Sequence, residues 1–153
     1  MTPSILSTIL ILSLPTFFAH NADHTHFEFW GVITCNLNRP FSYAIEVIEE
    51  DVAEGTHDVI NHSHRHVGVS SPELFKIEAD DNGDGPWNYY YEIVFRVHHD
   101  CLTEDRKNHV VLRVPVLNFW VFEGTHKHNI SFDITGRGDP TYLDWPEEYH
   151  VHV

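Results

Sequence analysis

The sequence predicts an all-β chain folded as an antiparallel sandwich, and three observations predict it. Apolar residues alternate with polar ones in several short runs, clusters of turn-forming residues separate those runs, and helical periodicity is weak throughout. About seven or eight short strands at such spacing suit two packed sheets.

The runs come in chain order. Phe29, Gly31, Ile33 and Cys35 share one face of an extended segment ending at Cys35. Tyr43, Ile45 and Val47 do the same within Tyr43–Glu49. Phe75, Ile77 and Ala79 line one side of Leu74–Ala79. The clearest run is Tyr89–His99, where Tyr91, Ile93, Phe95 and Val97 point one way and Glu92, Arg96 and His98 the other. Val110–Val114 and Ile130–Ile134 repeat the pattern, while Asn118–Thr125 is compatible with a short helix. Turn signals lie at Asn38-Arg39-Pro40, Asn82 to Pro86 and Gly136 to Pro140. The aromatic clusters Trp87–Tyr91 and Phe119–Phe122 are expected to fill the core.

Residues 1–22 stand apart. They carry no charged side chain, and an apolar block from Ile5 to Leu14 ends at Pro15. That block is shorter than the roughly 20 residues a membrane-crossing helix needs, and it reads as a secretory signal cleaved after Ala19 or Ala22. Residues 23–153 then form one soluble extracellular domain, not transmembrane, with an internal core.

Its compartment decides how the only two cysteines behave. Cys35 shares parity with Ile33, and Cys101 with Val97 and His99, so both point inward. Outside the cytosol such a pair is expected to oxidise. A Cys35–Cys101 bridge closing about 66 residues would stabilise by roughly 4 kcal/mol.

Charge narrows the partners. With 23 acidic and 9 basic residues the chain carries −14, which argues against nucleic acid and against docking on anionic membranes. Histidine is unusually frequent at 14 residues, and mild acid would titrate exposed imidazoles toward a neutral surface.

The order of Gly31-x-Ile33-x-Cys35, Pro40, Ile45-x-Val47-x-Glu49-x-Asp51, His99-Asp100-Cys101, Pro115 and Asn129–Ile134 resembles the nematode transthyretin-like family over about Phe27 to Gly138. The resemblance implies a small secreted β-sandwich of transthyretin type. Two further cysteines common in that family are absent, which fits the loss of one whole disulfide, and Glu73 stands where the family usually has glycine. A related branch of the fold hydrolyses 5-hydroxyisourate with a C-terminal Tyr-Arg-Gly-Ser. This chain ends Tyr149-His-Val-His-Val153 instead.

Four motifs carry candidate chemistry. On a single strand His62, His64 and His66 would share a face, with neighbours about 7 Å apart, as zinc or copper ligands or as a solvated loop. Asp80-Asp81-Asn82-Gly83-Asp84-Gly85 resembles half a calcium loop, but Tyr91 stands where the bidentate acid belongs, so an acidic turn is expected. Arg137-Gly138-Asp139 is either an integrin-type receptor contact or a glycine-rich turn. Asn61-His62-Ser63 and Asn129-Ile130-Ser131 are N-glycosylation sequons, the first competing with any metal at the histidines.

No nucleophile elbow, phosphate loop or recognisable catalytic triad is present in the sequence. The expected function is a secreted ligand-binding or adaptor protein without catalysis, its partner an extracellular protein or a small apolar ligand. A metal-binding factor and a hydrolase of the 5-hydroxyisourate branch are the alternatives.

Overall fold

The computed structural model describes residues 24–50, 57–63, 65–82, 90–103, 109–121, 124–141 and 145–146. They form two sheets facing each other. One is built on β1 (Thr25–Thr34), flanked by β5 (Glu73–Asp81) and β8 (Gly124–Asn129), with β9 (Phe132–Asp133) continuing beside β1. The other runs in the order β10 (Asp139–Pro140), β7 (Val110–Trp120), β6 (Tyr90–His99), β2 (Phe41–Glu49), β3 (Asp58–His62), with β4 (His66–Gly68) also on β2. β1 runs antiparallel to β5 and parallel to β8 and β9. The architecture is compatible with a β-sandwich.

Period-two patterning explains the core. Phe27, Phe29 and Ile33 of β1 are fully buried and meet Tyr91 and Phe95 of β6. Phe27 packs edge-on against Tyr91 at 5.1 Å between ring centroids, and Phe29 against Phe95 at 5.2 Å. Phe119 of β7 closes on Phe27 at 5.7 Å. Such T-shaped pairs add about 0.5–1.5 kcal/mol each beyond their buried area.

Three sequence expectations are corrected here. The described residues of 118–125 form no helix: β7 continues through Asn118, Phe119 and Trp120 with only Phe119 buried, which is strand periodicity. Ile130–Ile134 is not one strand, because Ser131 Oγ accepts from Val32 N at 3.2 Å and takes the place of a ladder carbonyl. The third concerns β2 and β6. Alternation separated Glu46 and Ile48 of β2, and Glu92, Arg96 and His98 of β6, from the inner set, yet Ser42, Ala44, Ile48, Val94 and His98 are buried as well as the inner set. Both strands lie inside the sheet order, and Trp145 and Arg65 sit over their outer face.

The break between β8 and β9 depends on one glycine. A Cβ on Gly31 would lie 1.7 Å from the Ile130 carbonyl oxygen. Without a side chain, β1 lets that backbone dip inward, and Ile130 N bonds to Trp30 O at 2.9 Å. The chain then resumes along β1, with Ile134 N bonded to Thr34 O at 3.0 Å.

Cys35 and Cys101 form a disulfide with a Cα separation of 6.0 Å, both residues buried at the end of the sandwich. The bridge joins the end of β1 to the end of β6, so it ties the two sheets together.

Gly31→Ala should lower stability by on the order of 2–4 kcal/mol, because a methyl group meets backbone that cannot retreat without opening the β1 ladder. Denaturant titration reads this directly, and an unchanged midpoint would show that the Ile130 carbonyl yields. Cys101→Ala should cost roughly 2–5 kcal/mol in the same assay. Intact-mass analysis showing two free thiols in exported protein would remove the bridge.

Candidate functional site

The buried outer face of β2 and β6 concentrates polar side chains. Glu46 on β2 lies opposite Arg96 on β6, and Ala44 lies opposite His98. The small alanine leaves the His98 imidazole room to reach along the strand to Glu46. Its Nε2 lies 2.8 Å from Glu46 Oε2, and Arg96 Nε donates to the same oxygen. His98 Nδ1 lies 3.1 Å from Nε2 of His109, which precedes β7.

Two side chains lie above this row. The Trp145 ring stacks on His109 with centroids 4.4 Å apart. The Arg65 guanidinium sits 4.2 Å over Trp145 and donates to Ser42 Oγ at 3.0 Å. A cation over an indole face is attracted by the ring quadrupole, and desolvation strengthens the attraction.

Electrostatics fix the proton positions. Burial pushes the Glu46 carboxyl up, but the hydrogen bonds and charges of His98 and Arg96 overcome it and hold the group at about 2. Glu46 is therefore ionised and only accepts, so His98 Nε2 carries a proton. A neutral His98 then presents Nδ1 as acceptor, and His109 donates through Nε2.

A different histidine lies on the inner face. His99 is fully buried beside Cys101, and neither ring nitrogen has a hydrogen-bond partner. Burial pushes its imidazole down to about 4, against the pull of the Asp100 carboxylate and of the Arg137 backbone, which approaches too loosely to count as a bond.

A cleft of about 600 Å³ opens at the disulfide end of the sandwich. Its walls are the segment from Thr34 to Pro40 and the segment from Val69 to Pro72. Both are anchored. Ser71 Oγ accepts from Cys35 N at 2.8 Å, and an Arg39 terminal nitrogen donates to Leu102 O at 2.8 Å and Asp100 O at 3.2 Å.

The residues singled out from sequence fall in different places. His62 pairs with Glu46, whereas His66 pairs with Tyr43 and stacks on its ring at 5.3 Å. These partners lie on opposite faces of β2, because the chain breaks at Ser63, whose N and Oγ both bond to Ile45. His64 lies outside the described residues, as do Gly83 to Gly85 of the acidic turn and the C-terminal tail from residue 147. Among the described residues, no group of three or more His, Cys, Asp or Glu side chains is arranged to hold a metal.

Arg137 and Asp139 are both exposed, but Arg137 Nη1 donates to Asp133 O at 2.9 Å and Asp139 pairs with Val111 as part of β10. Gly138 between them has φ 98°, and a Cβ there would meet Val111 O at 2.9 Å, so the tripeptide is held against β7. Asn61 and Asn129 are both exposed; Asn61 Nδ2 donates to Glu78 O, linking β3 to β5. The array of Glu46, His98, His109 and Trp145 was missed in the sequence. Its one visible signal was that His98 and Arg96 share the polar side of β6.

Fold and site together define a disulfide-bonded, two-sheet β-protein whose central strands carry a buried polar array. No protein-family model matches the chain, and neither a curated protein nor a solved structure is significantly similar to it. Among the described residues no helix is long and apolar enough to cross a membrane.

Acid should destabilise the protein in two stages. His99 has a folded pKa near 4, below its ordinary 6.5, so the unfolded chain takes the proton first. Its contribution is complete above pH 6.5 and falls away toward pH 4, a loss of up to about 3 kcal/mol. Glu46, held at about 2 against an ordinary 4.5, contributes above pH 4.5 and loses that contribution as pH falls through 2. Denaturant midpoints measured from pH 7 to 3 should fall throughout, and His99→Phe should flatten the part between 6.5 and 4. An equal slope in that variant would place the acid sensitivity elsewhere.

Proposed function

We propose that this chain is a secreted β-sandwich of the transthyretin-like type that acts by binding an extracellular partner, without catalysis. The observation that carries this reading is the cleft beside the disulfide. The space between the sheets is occupied by Phe27, Phe29, Tyr91, Phe95 and Phe119, so a small apolar ligand finds its contact on the rim and not in the interior. The rim mixes Leu37, Pro40, Val69 and Pro72 with Asn36, Asn38, Arg39 and Ser70. A mostly polar cleft with a few apolar side chains among its hydrogen-bonding groups suits an extended peptide segment or a loop of a partner protein.

Rigidity supports the same reading. Cys35 in one cleft wall is fixed by the disulfide, and both walls are held by the Ser71 and Arg39 hydrogen bonds. A preorganised wall loses little conformational freedom on binding, which favours affinity. Export rests on the uncharged, apolar first 22 residues and on a cysteine pair positioned to oxidise.

Immobilised protein should retain a partner from the extracellular fluid of the source organism, with protein and small-molecule fractions both read by mass spectrometry. Val69→Arg adds charge and bulk to an exposed cleft residue and should abolish retention. Trp120→Ala, at the opposite end of β7, should leave it intact. A partner held equally by both variants would move the contact away from the cleft. Turnover of a captured small molecule would replace binding with catalysis.

A further inference from the structure

We propose that Asn129 carries an N-linked glycan whose first sugar packs on Trp30 and covers the apolar strip of Trp30, Val32 and Leu74. The inference rests on passage through a secretory pathway, as the reading above requires. It follows from what the four-stranded sheet brings together on its outer face.

Burial along β1 alternates, so His26, Glu28, Trp30 and Val32 face outward. On β8 the outward residues are Thr125, Lys127 and Asn129. The register sets Lys127 beside Glu28 and Asn129 beside Trp30. The first of these pairs is an ion pair at 3.0 Å, which shows that outward side chains of the two strands meet across the ladder. Adjacent strands lie about 5 Å apart, so a sugar on Asn129 starts within one residue's width of the indole.

The surface beside it is unusual. Trp30 is 39% exposed, and Leu74, which pairs with Val32 on the far side of β1, is 81% exposed. The rest of this face is charged, with Glu28, Lys76, Glu78, Asp80 and Lys127 forming mutual or histidine-mediated pairs. The CH faces of a pyranose are flat and weakly polarised, and they suit a half-exposed indole that still borders water. A glycan at this position also shields the outer edge of β8, which no strand pairs among the described residues.

The two sequons differ in what their amides already do. Asn61 Nδ2 donates to Glu78 O, and its Oδ1 accepts from His62 N at 2.7 Å, so this amide holds β3 to β5. The Asn129 side-chain amide makes no hydrogen bond among the described residues, and it projects from an edge strand. Transfer uses a lipid-linked oligosaccharide diphosphate. The Asn129 Nδ2–C1 bond forms, the C1–O bond to phosphate breaks, the lipid diphosphate leaves with the bonding pair, and Nδ2 loses one proton.

The test uses the full chain expressed in a secreting eukaryotic cell, with site occupancy read by glycopeptide mass spectrometry. Occupancy should be found at Asn129, and Asn129→Gln should remove it while Asn61→Gln leaves it. Fluorescence quenching by acrylamide then reads the cover. Complete deglycosylation should raise quenching in the wild type but not in Trp30→Phe, and trimming to one sugar should leave it low. A vacant Asn129, occupancy at Asn61 alone, or quenching indifferent to the glycan each overturns the proposal. If the chain is not exported by its own first residues, the secretory reading fails by that result alone. The same chain behind a foreign export signal still decides Asn129.

Discussion

The antiparallel ladder between β2 and β6 is the constraint on which the rest of the structure depends. Seven consecutive residue pairs, from Tyr43 with His99 to Glu49 with Ile93, run through the middle of the larger sheet. Both faces of this ribbon are buried. The inner face is largely apolar and supplies the sandwich core, with His99 and Glu49 its buried polar members, whereas the outer face includes Glu46, Arg96 and His98. A buried carboxylate is tolerated only when paired and hydrogen-bonded, so the outer face organises what lies on it. His109, Trp145 and Arg65 are held there by bonds and ring contacts that begin at Glu46.

The same ladder connects the array to the cleft. Ser42 at the start of β2 receives Arg65 on its hydroxyl and donates its N–H to Asp100 Oδ1 at 2.7 Å. Asp100 offers its carbonyl to Arg39 in the cleft wall, one residue before the disulfide cysteine. Array and cleft wall are therefore joined by consecutive polar contacts along one strand end. The disulfide closes this region covalently, which keeps the cleft in register with the central strands.

Much of the fold was legible in the sequence because period-two burial leaves a direct imprint. Tyr91, Ile93, Phe95 and Val97 could be assigned to the core from alternation alone, and the parity of Cys35 and Cys101 aimed both inward. What could not be read depends on tertiary placement. Alternation says that Glu46 and His98 share the side opposite the core, but not that this side is covered by a segment more than forty residues away in the chain. Likewise, His62 and His66 have the spacing of one strand face. The hydrogen bonds of Ser63 to Ile45 break that strand, and no local propensity announces it. Gly31 could be placed in a strand, yet its role is set by the Ile130 carbonyl, 99 residues distant.

The abundance of histidine, which in sequence suggested a metal or an acid response, takes on a different meaning in three dimensions. Imidazole is the smallest aromatic side chain with polar edges, and here it caps larger rings at sheet margins. His66 lies on Tyr43, His109 on Trp145, and His126 between Phe27 at 5.5 Å and Phe119 at 4.8 Å. His126 also places Nε2 at 2.9 Å from the Trp120 carbonyl, so one ring covers the core and satisfies a strand end. A phenyl ring would cover as well but leave that carbonyl unbonded, and a lysine would reach it without stacking. Other imidazoles meet carboxylates, His24 and His26 at Asp80 and His98 at Glu46. In a chain with 23 acidic and 9 basic residues these rings provide hydrogen-bond donors to carboxylates that lysine and arginine are too few to serve. His99 differs from these: neither of its ring nitrogens has a hydrogen-bond partner among the described residues. Burial opposes its protonation, and the pull of the Asp100 carboxylate offsets only part of that cost.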